Sequence, residues 1–407
     1  MHDASLTSAA LTARQGGADA LAGALESSRR DTLATFAIYE LALPGLVVPL
    51  RDELNPPLWE LGHIGWFQEF WLARNPVRGE GAFADPELPR GSPLRADADA
   101  LYNSSTVAHD SRWGLPLPDA AATRADLAVQ LADTLALLRA VADDSDDALY
   151  FFRLALLHED MHHEAALYMA QALGIAIDDV RWQAPALSAP PAPIALAPGP
   201  WMLGAGSDPG FAFDNEIEGQ AIELAHTVID AQAVRWAEFL PFVESGAYAE
   251  DCCWTPAGQR WRVTQKAVAP RYLRRDGKAW QHWRHGRWQA LALAEPAVHL
   301  TYHEAEAWCR WAGRRLPTEA EWERAALIRS GEFRWGDVWE WTASPFQPYP
   351  GFEPHPYRDY SAPWFDGRPV LRGASFMTQP RMRHPRYRNY FLPHRNDVPA
   401  GFRSCAP

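Results

Sequence analysis

The strongest constraint in this sequence is the run Leu149–Leu173, which is rich in apolar residues and contains neither proline nor glycine. A stretch of that length and periodicity predicts one long buried helix. Within it stands Leu157-His158-Glu159-Asp160-Met161-His162-His163-Glu164. His158 and His162 are four residues apart, so on a helix both imidazoles leave the same face one turn apart. Two neutral imidazoles at that spacing can hold one metal ion. His163 lies roughly 140° around the helix from His158 and falls outside the pair. The string also satisfies H-E-x-x-H, the zinc metallopeptidase signature in which the glutamate is the general base. Two half-buried histidines with ordinary hydrogen bonds would account for it equally well. This stretch alone leaves the choice open.

Upstream, Leu21, Leu25, Leu33, Phe36 and Tyr39 recur at helical spacing between residues 20 and 43, with Arg29, Arg30 and Asp31 as the expected polar side. Asn55-Pro56-Pro57 predicts a second helix start, Asn55 as N-cap and Pro56 in the first turn. That helix carries Trp59, His63, Trp66, Phe67 and Phe70 on about one face. A histidine among aromatics needs a partner, because burying an unpaired polar ring is costly. A backbone carbonyl or a metal would serve. Residues 75–120 read as a long loop containing Tyr102, Asn103 and Arg112, and residues 121–142 as another helix. Four main helices predict a four-helix bundle, an architecture that commonly holds metals between facing helices. The proline-rich stretch 183–199 reads as an extended spacer. It divides a helical unit, 1–182, from a second unit, 200–407.

At 407 residues the chain exceeds the usual single-domain size, and two domains are expected. A formal charge of −13 argues against a nucleic-acid binder, which would present a basic face. No apolar run is long enough to span a membrane. Residues 1–23 lack the basic region and apolar core of a secretory signal. The four cysteines, Cys252, Cys253, Cys309 and Cys405, are too few and too scattered for a disulfide framework, so a reduced cytoplasmic protein is expected. The 19 tryptophans and 34 prolines fall mostly after residue 182 and predict an irregular, loop-rich second half.

Five motifs in that half occur in a telling order: Phe213-Asp214-Asn215-Glu216, Arg315-Leu316-Pro317-Thr318-Glu319-Ala320-Glu321-Trp322-Glu323, Trp339-Glu340-Trp341-Thr342, Leu371-Arg372-Gly373-Ala374-Ser375-Phe376 and Gly401-Phe402-Arg403. Together they resemble the formylglycine-generating-enzyme domain, whose fold is similar to C-type lectins. With a DinB-like bundle ahead of it, the fold class expected is a multidomain α+β protein. The whole chain resembles the non-haem iron sulfoxide synthases of ergothioneine biosynthesis, and more closely the selenoneine synthases related to them. That resemblance makes His63, His158 and His162 the ligands of Fe(II), with O2 as co-substrate. It displaces the metallopeptidase reading, which needs a third ligand downstream of the pair. Its partners are small molecules: hercynine and a selenium or sulfur donor joined to C2 of its imidazole.

The same resemblance assigns a catalytic tyrosine to Tyr357 or Tyr360, and substrate contacts to Asn389, Tyr390, Phe391 and Arg395. It places Tyr102, Asn103 and Arg112 in a bundle loop facing the cleft. A ring at 390 suits a trimethylammonium group, and an arginine suits an anionic or polyhydroxylated partner. Three positions depart from the γ-glutamylcysteine-using pattern: Met161 replaces a glutamine, Tyr390 a tryptophan and Phe391 an aspartate. Losing that aspartate weakens the case for binding the γ-glutamylcysteine amine and favours a less charged donor such as a selenosugar. Ergothioneine-type chemistry with cysteine or γ-glutamylcysteine is the alternative within the family, and a lectin-like binding protein the alternative outside it. Formylglycine generation needs a cysteine pair that these four cysteines do not offer. The active site is expected at the junction of the two units.

Overall fold

The computed structural model describes residues 3–206 and 208–407. Its first half is helical: α1 (Asp3–Gln15), α2 (Ala18–Ala42), α3 (Pro57–Trp71), the short α4 (Ala98–Tyr102), α5 (Ala120–Arg139) and α6 (Asp146–Leu173). Helices α2, α3, α5 and α6 pack against one another as the expected bundle. Local chemistry fixes the ends of α6. The Ser145 side chain accepts from the Ala148 amide at its start, and Gly174 closes it in the left-handed conformation.

Helix α6 is buried nearly all round. Leu154, Leu156 and Leu157 are under water-excluding cover, and so are His158, Glu159, Asp160, His163 and Glu164. An ordinary surface helix would leave that polar side in solvent. The polar side of α2 is buried too, contrary to expectation for Arg29 and Asp31. Arg29 holds Glu159 of α6 through two bonds of 2.8 and 3.1 Å, and reaches Gln68 of α3 and the Leu127 carbonyl of α5. One guanidinium thus ties four helices together.

Three further sequence expectations change in detail. Helix α3 starts one residue later than predicted, with Pro56 as N-cap and Pro57 in the first turn. A residue preceding proline is driven to extended backbone, so two prolines in a row push the start onward. Asn55 instead donates its side-chain amide to Glu60, at 2.6 Å. Residues 183–199 are not a free spacer. Leu187 is buried with its amide on the Ala294 carbonyl, and residues 194–196 form a strand. Proline-favoured extended backbone serves as an edge strand as readily as it serves as a tether. Helix α1 is not predicted from the sequence, whose only large apolar residues there are Leu6 and Leu11. It docks on the second half through Arg14, which forks onto Glu216 at 2.6 and 2.9 Å.

The second half runs β1 (Ile194–Leu196), β2 (Gly199–Leu203), β3 (Gln220–Leu224), β4 (Thr227–Ile229), α7 (Trp236–Glu244), α8 (Pro256–Gln265), β5 (Leu273–Asp276), β6 (Ala279–Arg284), β7 (Arg287–Ala290), α9 (Tyr302–Trp311), α10 (Glu319–Ile328), β8 (Val338–Pro345), β9 (Pro369–Ala374), β10 (Asn389–Tyr390) and β11 (Ala400–Gly401). Its largest sheet has the order β10-β9-β8-β11, with only β11 parallel to its neighbour. Edge strand β10 pairs Asn389 with Leu371 and Tyr390 with Val370.

The motifs of this half converge as buried ion pairs. Arg372 meets Glu319 and Glu323, Arg388 meets Glu319, and Arg403 meets Glu340. The capping box predicted for Thr318 and Glu321 opens α10 and aims Glu319 and Glu323 inward. Gly373 has φ +90°, and a Cβ there would lie 3.1 Å from Trp322. These residues are scaffold. The four cysteines are free, and among the described residues no helix is long and apolar enough to cross a membrane.

The two halves share one interior. Asp160 accepts a fork from Arg381 at 2.8 and 2.9 Å, and one oxygen of Glu164 accepts from Trp339, Ser375 and Thr378 at 2.7, 2.8 and 2.7 Å. Tyr150 bonds His355, and Gln171 bonds the Trp283 carbonyl.

Two outcomes follow for stability. Arg29→Met leaves Glu159 buried without its partner and is expected to cost about 3–5 kcal/mol in chemical denaturation. Replacing both by apolar residues is expected to recover most of that loss. The second concerns His299, buried and bonded to the Val398 carbonyl, whose pKa burial pushes down to about 4. The native state therefore refuses a proton that the unfolded chain accepts below about pH 6.5. Its contribution is present above that pH and is lost as the pH falls toward 4. His299→Asn, which tolerates the local φ of +62°, is expected to flatten the stability profile there by about 1.4 kcal/mol per pH unit.

Candidate metal centre

His158 and His162 leave α6 on one face, and α3 brings His63 opposite them. One nitrogen from each of the three rings lies within 4.8 Å of the others. His158 Nε2 and His162 Nε2 stand 3.2 Å apart. His163 is elsewhere, held by Thr35 and Gln379.

The outer nitrogens explain why the inner ones converge. His63 Nδ1 sits 2.8 Å from the Tyr102 carbonyl, an acceptor only, so this nitrogen carries the proton and Nε2 keeps its lone pair. His162 Nδ1 lies 2.5 Å from Glu60 Oε2, with the same consequence. His158 is fixed by packing, its ring stacked on Phe67 with centroids 3.5 Å apart. Its Nδ1 is buried and makes no hydrogen bond. Burial, aided by His162, lowers the His63 pKa to about 3, and the same effects hold His158 well below its ordinary value. Both are therefore neutral donors at physiological pH. Burial opposes charge on Glu60, yet His162 outweighs it and keeps the carboxyl below its usual range. Three convergent imidazoles, two of them backed by acceptors, fit a transition metal such as iron, zinc, copper or nickel.

The cluster adjoins a cavity of about 250 Å³ between α6 and the edge strand. His162, Met161, Tyr360, Asn389, Tyr390 and Phe391 all contribute to its wall, so these predicted residues come together. The wall also holds Glu164, Tyr168, Trp339 and Tyr387, which sequence reasoning missed. Glu60 was missed as well, although it lies three residues before His63 on the same helix face. Tyr387 lies only two residues before Asn389. Its hydroxyl accepts from Tyr360 at 3.0 Å and donates to the Met161 sulfur at 3.4 Å. Tyr390 donates to the Tyr360 carbonyl.

Tyr357 packs edge-on against Phe67, its ring 6.1 Å from that of His158. Four other predicted residues are not part of the cavity wall. Tyr102 contributes its carbonyl to His63 while its ring lies against Gly62. Asn103 folds back on the Ser105 amide. Arg112 bonds Asn55 and covers Trp59. Arg395 is taken up by Asp397, at 2.6 and 2.5 Å, and lies over Phe391.

Gly62 makes the close approach possible, since a Cβ there would fall 2.3 Å from the Tyr102 ring. Gly62→Ala is expected to displace the carbonyl that orients His63 and to destabilise the fold by about 1–3 kcal/mol. Elemental analysis after metal reconstitution should show less bound metal than in the parent.

Two family models match the chain: the DinB superfamily over residues 5–166 and the sulfatase-modifying factor enzyme 1-like domain over residues 182–337. A hercynine oxygenase of Mycolicibacterium smegmatis is 31% identical, the match covering 95% of this chain and 98% of that protein. The hercynine oxygenase of Mycobacterium tuberculosis is 30% identical over 86% of this chain and 90% of its own length. A formylglycine-generating enzyme of Streptomyces coelicolor is 29% identical, but over 38% of this chain and 56% of that enzyme.

Proposed function

Because the chain belongs to the hercynine oxygenase family, we propose that it is a non-haem Fe(II)- and O2-dependent enzyme that joins hercynine to a selenosugar. One observation carries this reading: the three-histidine cluster adjoins a cavity walled by aromatic rings, to which His162 itself contributes. Bound iron would supply electrons to O2 and open positions for the chalcogen donor.

The chain's own residues account for the rest. Tyr168, Trp339, Tyr360, Tyr387, Tyr390 and Phe391 offer ring faces to a trimethylammonium group, and Glu164 a carboxylate. Burial raises the Glu164 carboxyl, against the three hydrogen bonds that favour its charge. The Asn389 side-chain oxygen accepts from the Tyr390 amide, which leaves its NH2 for the imidazole of hercynine. Phe391 places no charge beside the donor, and the Asp397 partnership of Arg395 removes a second one. A neutral donor suits that wall.

Bond formation replaces the C2–H of hercynine and the Se–H of the donor with a C–Se bond. One oxygen atom of O2 takes the two hydrogens and their two electrons and leaves as water, and the other is transferred to selenium, whose oxidation to a selenoxide supplies the remaining two electrons. Tyr357 is the better proton donor of the two candidate tyrosines, because the Tyr360 hydroxyl is committed to Tyr387. Burial raises the Tyr357 hydroxyl above the ordinary phenol range, so it stays protonated at neutral pH.

The test is a competition. Protein reconstituted anaerobically with Fe(II) receives hercynine, a 1-selenosugar, its thiosugar analogue and γ-glutamylcysteine, then O2, and products are read by mass spectrometry. A dominant selenosugar adduct is the expected outcome. A dominant γ-glutamylcysteine sulfoxide would place the chain with ergothioneine-type enzymes and overturn the selenosugar reading.

A further inference from the structure

The loop arginine Arg112 does not reach the cavity wall, and its contacts lead to the histidines by two separate routes. The first is a hydrogen-bond line. Arg112 Nη1 donates to Asn55 Oδ1 at 2.9 Å, Asn55 Nδ2 donates to Glu60 Oε1 at 2.6 Å, and Glu60 Oε2 receives His162 Nδ1 at 2.5 Å. The polarity of this line is forced from its outer end. A guanidinium has donors only, so Asn55 must turn its oxygen to Arg112 and its NH2 to Glu60. The carboxylate can only accept, which puts the proton of His162 on Nδ1 and its lone pair on Nε2.

The second route is a stack. The Arg112 guanidinium lies 3.7 Å over the Trp59 ring, and Trp59 stacks on His63 with centroids 4.7 Å apart and planes 9° from parallel. The indole is pinned at its other end by the Leu101 carbonyl, 2.8 Å from Nε1. The loop that carries Arg112 is itself clamped to residues 48–54, through Trp113 on the Val48 carbonyl and His109 on the Leu54 carbonyl. Arg112 is therefore held in place before it orients anything else.

We propose that Arg112 is a positioning residue of the histidine cluster, setting His162 through Asn55 and Glu60 and setting His63 through Trp59, and that it does not contact substrate. This rests on reading the cluster as a metal centre. It departs from the expectation, drawn from the resemblance, that this arginine faces the cleft.

Cobalt(II) serves as the probe in the full chain, its affinity read by competition with a chelator and its geometry by visible absorption. Arg112→Met is expected to weaken cobalt binding about 10- to 100-fold and to shift the absorption bands. The melting temperature of the metal-free protein should stay near the parent's. Asn55→Ala cuts only the hydrogen-bond route, so it should cost less than Arg112→Met. The double variant should lose less than the two singles added together, because the routes share that branch. Arg112→Lys restores a donor without the planar stack and should recover part of the loss.

Unchanged cobalt affinity and spectrum in Arg112→Met, with a raised KM for a substrate, would make Arg112 a substrate contact and overturn the inference. A large loss of metal-free stability with an unaltered spectrum would reduce it to a brace of the fold, which overturns it equally. A parent protein that binds no cobalt at these histidines would instead overturn the metal-centre reading, and this inference with it.

Discussion

Burial of both sides of α6 is the condition on which the rest of the molecule depends. A helix carrying histidine, glutamate and aspartate along its length can be enclosed only if each polar group finds a partner. Here Glu159 finds Arg29 within the bundle, and Asp160 finds Ser28 on one side and Arg381 on the other. Glu164 gathers three donors from the second half. Because these partners come from opposite directions, α6 is fixed in position and in rotation about its axis. That rotation aims His158 and His162.

The site follows from this geometry. Helix α3 contributes His63 and Glu60, α6 contributes His158, Met161, His162 and Glu164, and strand β10 brings Asn389 and Tyr390 alongside. Neither half holds both the histidine cluster and the aromatic wall. The junction is a shared interior with buried ion pairs, unlike the more polar contact between domains that move freely.

Much of this was legible in the sequence, for reasons that can be named. The 3.6-residue period exposed the four long helices, and the i, i+4 spacing exposed the His158–His162 pair. The five motifs of the second half could be read because buried ion pairs tie their residue types to fixed places, as with Arg372, Glu319 and Glu323. What stayed hidden depends on partners far away in the chain. Arg29 looks like a surface residue until Glu159, 130 positions on, is placed beside it. Helix α1 forms against residues beyond 200, and its own pattern gives little sign of that. Arg112 and Arg395 show how little of a side chain's setting its chemistry alone reveals. Each suits an anionic ligand, and each is satisfied inside the protein by Asn55 with Trp59, or by Asp397.

The placement of α1 bears on how such modules can be recombined. One family model ends at residue 166 and the other begins at 182, which invites a cut between them for building chimeras. The stability of the molecule is not divided at that point. A bundle severed from its own second half would carry Asp160 into a new setting without Arg381 and Glu164 without its three hydrogen-bond donors, and the severed half would expose Glu216 stripped of Arg14. A productive graft has to transplant these charge partners along with the fold, choosing its crossover by the ion pairs that span the seam.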